Sequence, residues 1–291
     1  MPDYRIDFFQ LTHTATANIP TVRRGFELLQ NGDVETSGEI NRYTREVWRP
    51  RERRRPQSHV GQFRKFRMDD WPEVGRVGQP GHELELENAG LIEKNFFVYY
   101  PDRSLLGWHT NAHASGVGQF ARFLSQVWGT KVYAVPVLQP EAARRLLRGN
   151  IDLKRFVVSI PRPRAPDLYP DDDFGRATLE LLNHADGDLL HLSISIDGRR
   201  GDARPHLARR IKRALAEFAN FGATTAKAIV YEDGIEHPID LLADRVTSHQ
   251  TVEHDGRYAP EDTMFHTIDA ARTESEGPLR EYFGQLGDAL D

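Results

Sequence analysis

Between Gly107 and Leu124 the chain reads GWHTNAHASGVGQFARFL, which concentrates groups able to do chemistry. His109 and His113 stand four apart, the spacing by which a helix offers two imidazoles to one metal ion. The adjacent glutamate of a helical zinc site is missing, and the pair straddles the end of a strand, so no metal is assigned. Ser115 suits a helix N-cap, and Gly116 and Gly118 let the backbone turn tightly into the helix that follows. A helix N-terminus exposes unpaired N–H groups that attract a phosphate or carboxylate. Asn111, His113, Ser115, Gly116, Gly118 and Gln119 therefore form a candidate ligand-binding turn. The competing reading is a structural strand-to-helix junction.

A second candidate is basic. Arg42, Arg45, Arg49, Arg51, Arg53, Arg54, Arg55, Arg64, Lys65 and Arg67 face only Glu46 and Glu52 across the same span, a net charge of +8. Tyr43, Trp48, Phe63 and Phe66 are interleaved with them. Guanidinium forks pair with phosphates and aromatic faces stack on bases, so this mixture suits DNA or RNA. Residues 199–213 add a second basic patch with Arg199, Arg200, Arg204, Arg209 and Arg210. Against this, residues 232–291 hold fifteen Asp/Glu and four Arg, a net of −11. The basic segment has there an acidic surface on which to dock, in its own chain or a neighbour's. With Trp48, Phe63, Phe66 and Trp71 as apolar anchors, such docking predicts a homodimer or larger assembly.

Carboxylates offer a third chemistry. Glu83, Glu85 and Glu87 alternate along a strand and share one face, and PDDDF (170–174) places three aspartates in a row. A metal-dependent nuclease using Glu83, Glu85, His109 or His113 with Mg or Mn is the enzymatic alternative; otherwise no cofactor is expected and no catalytic residue is assigned. The chain carries no GxxxxGK[ST] loop, no GxGxxG between strand and helix, and no GxSxG elbow. It has no cysteine, which removes disulfides, zinc ribbons and thiol nucleophiles together.

The elements that must position these groups follow from periodicity. Residues 4–11 alternate as a strand, and 21–30 carry Val22, Phe26 and Leu29 at helical spacing. Residues 41–81 show no sustained period and read as an Arg-rich extended excursion or mobile loop. Strands follow at 94–100, 105–111 and 131–138, with a helix at 116–129 and another from Pro140. Further strands are expected at 153–162 and 188–198, and helices at 174–185 and 205–221. Residues 225–242 are expected to form two strands joined by Glu232–Gly234, a hairpin signal. Helices around 260–271 and 278–290 end the chain. This order implies an α+β fold with mixed or antiparallel sheets, packed helices and a long Arg-rich excursion. The 291 residues form one large unit, with a possible loose division near 163–170. No apolar run is long enough to cross a bilayer and the first residues lack a secretory pattern, so a cytoplasmic protein without membrane insertion is expected.

From Glu83 to Leu124 the order is an acidic strand, LIEKNFFVYY, a turn, GWHTN and a glycine-bearing helix entry ending in RFL. With AIVYEDGIEHPIDLLADRV near the C-terminus, this resembles a family of bacterial domains from anti-phage defence islands that includes the B subunit of the Kiwa system. Glu93, Gly107 and Asn111 stand at that family's most recognisable positions; residues 41–81 have no counterpart in the resemblance. It implies defence-linked binding to DNA or to a protein, such as another defence subunit or a phage protein, without a settled catalytic activity.

Overall fold

The computed structural model describes residues 2–40, 42–68, 73–84, 89–139, 142, 152–161, 173–195, 218, 223–232 and 235–289. Strand β1 (Asp3–His13) is the spine of the larger sheet. Its alternation is a direct product of strand geometry, which sends successive side chains to opposite faces. Tyr4, Ile6 and Phe8 enter one core, Phe9 and Leu11 the other.

Helix α1 (Val22–Asn31) starts where the Thr21 hydroxyl accepts the Arg24 N–H at 3.2 Å, buries Val22, Phe26 and Leu29, and stops at Gly32. Strands β2 (Ser37–Ile40), β3 (Tyr43–Arg54) and β4 (Gln57–Arg67) follow, then a short ribbon of β5 (Glu73–Val74) and β6 (His82–Glu83). Next come β7 (Leu91–Tyr100), β8 (Leu105–His109), α2 (Val117–Trp128) and β9 (Val132–Pro136). Beyond them lie β10 (Asp152–Pro161), α3 (Asp173–His184), β11 (Leu189–Ser195), β12 (Thr225–Glu232), β13 (Ile235–Asp240) and β14 (Thr247–Thr251). Two helices close the chain, α4 (Glu261–Glu274) and α5 (Glu276–Ala289).

The fold is α+β, and every strand pairing among the described residues is antiparallel. The larger sheet runs β14-β1-β8-β7-β4-β3-β2, with β9 continuing beside β1 where β14 ends. Helices α1 and α2 cover one face and α4 the other. A second sheet, β11-β10-β12-β13, falls in sequence between β9 and β14. Its Phe156, Val158 and Ile160 belong to the same apolar cluster as Ile6, Phe8 and Val98 of the larger sheet. Among the described residues no helix is long and apolar enough to cross a membrane. The helices expected from Pro140 and at 205–221, Ala142 and Phe218 apart, and the division near 163–170 fall outside the described residues.

One expectation is overturned. Residues 43–67 are no excursion: they form the β3–β4 hairpin, and β4 lies between β3 and β7 inside the sheet. Trp48 pairs with Gln62 and Arg51 with Val60, so Arg49 and Pro50 together oppose Gly61 in a bulge, with Arg49 at a φ of 49°. A bulge adds one residue and exchanges the two faces downstream of it. Before it Arg45 and Val47 face α2; after it Arg51 and Arg53 face α4. The period-2 signal cancels across the bulge, which is why the strand is hidden in the sequence.

Candidate functional site

Arg45, Lys65 and Glu93 are successive cross-strand neighbours on β3, β4 and β7. They form a row beside the entry to α2. The buried Arg45 guanidinium donates from Nε to Ser115 Oγ at 3.0 Å and from Nη1 to the carbonyls of Ile40 and Tyr43. Burial, with Arg122 nearby, pulls its pKa down to about 10. Lys65 is half-buried, and its Nζ lies 4.4 Å from the Tyr43 ring centre. Burial first, then the charges of Arg45 and Arg67, lower its pKa below the ordinary lysine value.

Glu93 is the carboxylate within reach, and it is already engaged. Its side chain is buried; Arg257 Nη2 donates to both its oxygens at 2.7 and 2.9 Å, and the Tyr258 hydroxyl donates to one at 2.8 Å. Burial and this bond to Glu93 raise the Tyr258 pKa. Asn111 Nδ2 donates to the Tyr258 oxygen and to the Lys94 carbonyl, both at 3.1 Å, while its Oδ1 accepts the His113 N–H. Asn95, wholly buried, accepts the Ser115 N–H at 3.1 Å and donates to the His109 carbonyl at 3.0 Å. The end of β8 and the start of α2 are thus pinned to β7. Lys94 Nζ lies 4.8 Å from the Tyr258 ring centre, and burial followed by Arg64 lowers its pKa.

The α2 entry differs from expectation in one detail. The N-cap is Gly116, whose N–H donates to the Gln119 side chain, and Ser115 serves instead as the acceptor for Arg45. Gly118 is buried in the first turn. Asn111, His113, Ser115, Gly116, Gly118 and Gln119 therefore stand together with Arg45 and Lys65, and Arg42 and Arg67 flank them at the same end of the hairpin.

The other basic positions go elsewhere. Arg51 pairs with Glu261 and, at 2.7 Å, with Asp262; Arg53 pairs with Asp269. Arg64 stacks 4.1 Å from the Trp48 ring centre and lies 3.8 Å from Glu46, while Arg49 also flanks Trp48. Arg54 and Arg55 are exposed at the far tip of the hairpin and, like Arg42, form no ion pair among the described residues. Arg199, Arg200, Arg204, Arg209 and Arg210 lie outside the described residues. Phe63, expected as an apolar anchor for docking, is wholly buried within the chain's own core, and Trp71 lies outside the described residues.

His109 sits on the opposite face of the sheet, buried against Tyr4 and Phe96 at ring separations of 5.2 and 5.8 Å. Burial alone pulls its pKa down to about 4. His113 is exposed beyond the strand. Glu83 lies in β6, and Glu85, Glu87, Asp171 and Asp172 lie outside the described residues. Among the described residues, no three His, Asp or Glu gather as a metal-holding group. Lys94, Arg257 and Tyr258 are site residues that no local signal marks, since Arg257 and Tyr258 belong to the acidic C-terminal region. Compared with protein-family models and with curated proteins, the chain matches none.

Proposed function

We propose that this protein binds nucleic acid, DNA or RNA, through the end of the larger sheet beside α2. It does so as a component of a bacterial anti-phage defence system, the setting implied by the resemblance at Glu93, Gly107 and Asn111. One observation carries the reading. Lys65 stands between Arg45 and Arg67, and its cross-strand neighbour Glu93 is held by Arg257 and Tyr258. The buried charge of Arg45 and the charge of Lys65 gather there while Glu93 is already engaged, and such a surface attracts a polyanion. Arg257 contacts Glu93 through Nη2 and its side chain is 61% exposed, so the guanidinium has further donors to offer a phosphate. Lys65, Arg67 and Arg257 are the phosphate contacts, and Arg42 extends them. Arg45 lies too deep for contact and acts through its charge.

Fluorescence anisotropy with labelled single-stranded and duplex oligonucleotides, between about 50 and 200 mM salt, tests the reading. Lys65→Glu/Arg67→Glu is expected to weaken binding at least about tenfold and to make the salt slope shallower by about two. Arg54→Glu/Arg55→Glu, at the far hairpin tip, changes net charge equally and should weaken binding less than about threefold. Affinity that is flat in salt, or identical in Lys65→Glu/Arg67→Glu and the parent, overturns the proposal.

A further inference from the structure

Six large apolar side chains stand exposed among the described residues, and four of them, Met68, Val74, Val77 and Ile92, belong to the β5–β6 ribbon and its root. Val77 is the extreme case, with no part of its side chain covered. It follows Arg76 at the tip, where the Gln79 N–H closes a turn onto the Arg76 carbonyl at 2.9 Å and Gly78 takes a φ of 81°. Arg76 makes no ion pair among the described residues. A bare valine beside an arginine without an ion pair gives this slender turn one apolar and one basic group to offer a partner. The exposed Glu73 in the stem disfavours a phosphate backbone as the occupant.

A complementary surface exists elsewhere on the same chain. An open groove of about 600 Å³ lies between the α1–β2 connection and the end of α2, lined by Asp33, Val34, Glu35, Thr36, Gln126 and Val127. Its size falls within the roughly 300–1,000 Å³ of pockets that enclose ligands. Asp33 and Glu35 form no ion pair among the described residues, and Val34 and Val127 are half-buried. The groove thus offers two unpaired acids and an apolar wall, while the ribbon tip offers one unpaired base and an apolar knob. The tip does not occupy its own groove, because Val77 is fully exposed.

We propose that two copies of this chain associate by exchanging ribbons, each Arg76–Val77 tip seated in the Asp33–Val127 groove of the other. Arg76 meets Asp33 and Glu35 while Val77 packs on Val34 and Val127, with Thr36 and Gln126 available to the turn's backbone groups. Exchange about a two-fold axis makes each contact twice and closes the assembly, so it stops at a dimer. The inference is independent of nucleic-acid binding and reads a different quantity.

Sedimentation velocity across about 1–100 µM protein tests it, because an assembly of this kind is concentration-dependent. The parent chain is expected to reach twice the protomer mass of 33.2 kDa. Val77→Asp and, separately, Asp33→Arg/Glu35→Arg should each raise the dissociation constant at least about tenfold. All three positions lie on the surface, so the variants keep the parent's circular dichroism. Mixing the two variants leaves one intact tip and one intact groove per pair, and should restore part of the dimer. A parent that stays monomeric throughout overturns the proposal. So does a dimer indifferent to Val77→Asp, which places the interface elsewhere, or one lost with Val77→Asp but kept in Asp33→Arg/Glu35→Arg, which gives the tip another seat.

Discussion

Arg53 and Asp269, 216 positions apart, meet fork to fork: Nη1 donates to Oδ2 at 2.9 Å and Nη2 to Oδ1 at 2.8 Å. Tyr100 adds a third donor to the same carboxylate at 2.7 Å, and Arg272 lies over the Tyr100 ring. Both partners of the pair are about four-fifths buried, so the geometry clamps α4 to the hairpin where water screens it little.

Asp269→Ala leaves a largely buried guanidinium and a phenol without their acceptor, and should lower stability by about 2–4 kcal/mol in urea unfolding. Arg53→Ala/Asp269→Ala should lose less than the sum of the single variants, by about 1–3 kcal/mol, because each single change strands the other partner. Additive losses would mean that the two residues act separately.

Gly107 is required by close approach. A Cβ there would lie 2.5 Å from Ile268 Cγ2 of α4, well inside contact distance. Gly107→Ala should therefore destabilise by about 1–3 kcal/mol, and Ile268→Ala, costly alone, should suppress most of that effect in the double variant. Thermal unfolding of the four proteins measures it. No suppression by Ile268→Ala would place the clash elsewhere.

Acid should act through two buried histidines. The His109 pKa is pulled to about 4 by burial, and that of His59, stacked on Phe26 with neither ring nitrogen partnered, moves in the same direction. An unfolded histidine titrates near 6.5, so between about 6.5 and 4 the unfolded chain binds the extra proton and stability falls as pH falls. For His109 the loss approaches about 3 kcal/mol by pH 4 and is absent above about pH 7. Denaturant unfolding from pH 4.5 to 7.5 should show a shallower pH slope in His109→Phe, and shallower still in His59→Phe/His109→Phe. Parallel slopes for parent and variants would count against it.

The local elements were legible. Alternation in residues 4–11, the spacing of Val22, Phe26 and Leu29, and the turn at Glu232–Gly234 each follow from side-chain geometry within a few residues, and β1, α1 and the β12–β13 hairpin form there. The α+β class was equally open to reading. The arginine-rich hairpin was not, because one bulge exchanges its faces and because the acids that Arg51 and Arg53 meet lie more than 200 positions away. Nor could the sequence join Glu93 to Asn111. Both were conspicuous, but the bond runs through the Tyr258 hydroxyl, on a segment brought back to β7 by the path from β14 to α4. Periodicity is a property of the chain's own sterics and can be read along it. Which charges are spent on one another, and which remain for a ligand, depends on distances that exist only once the sheet and helices have packed.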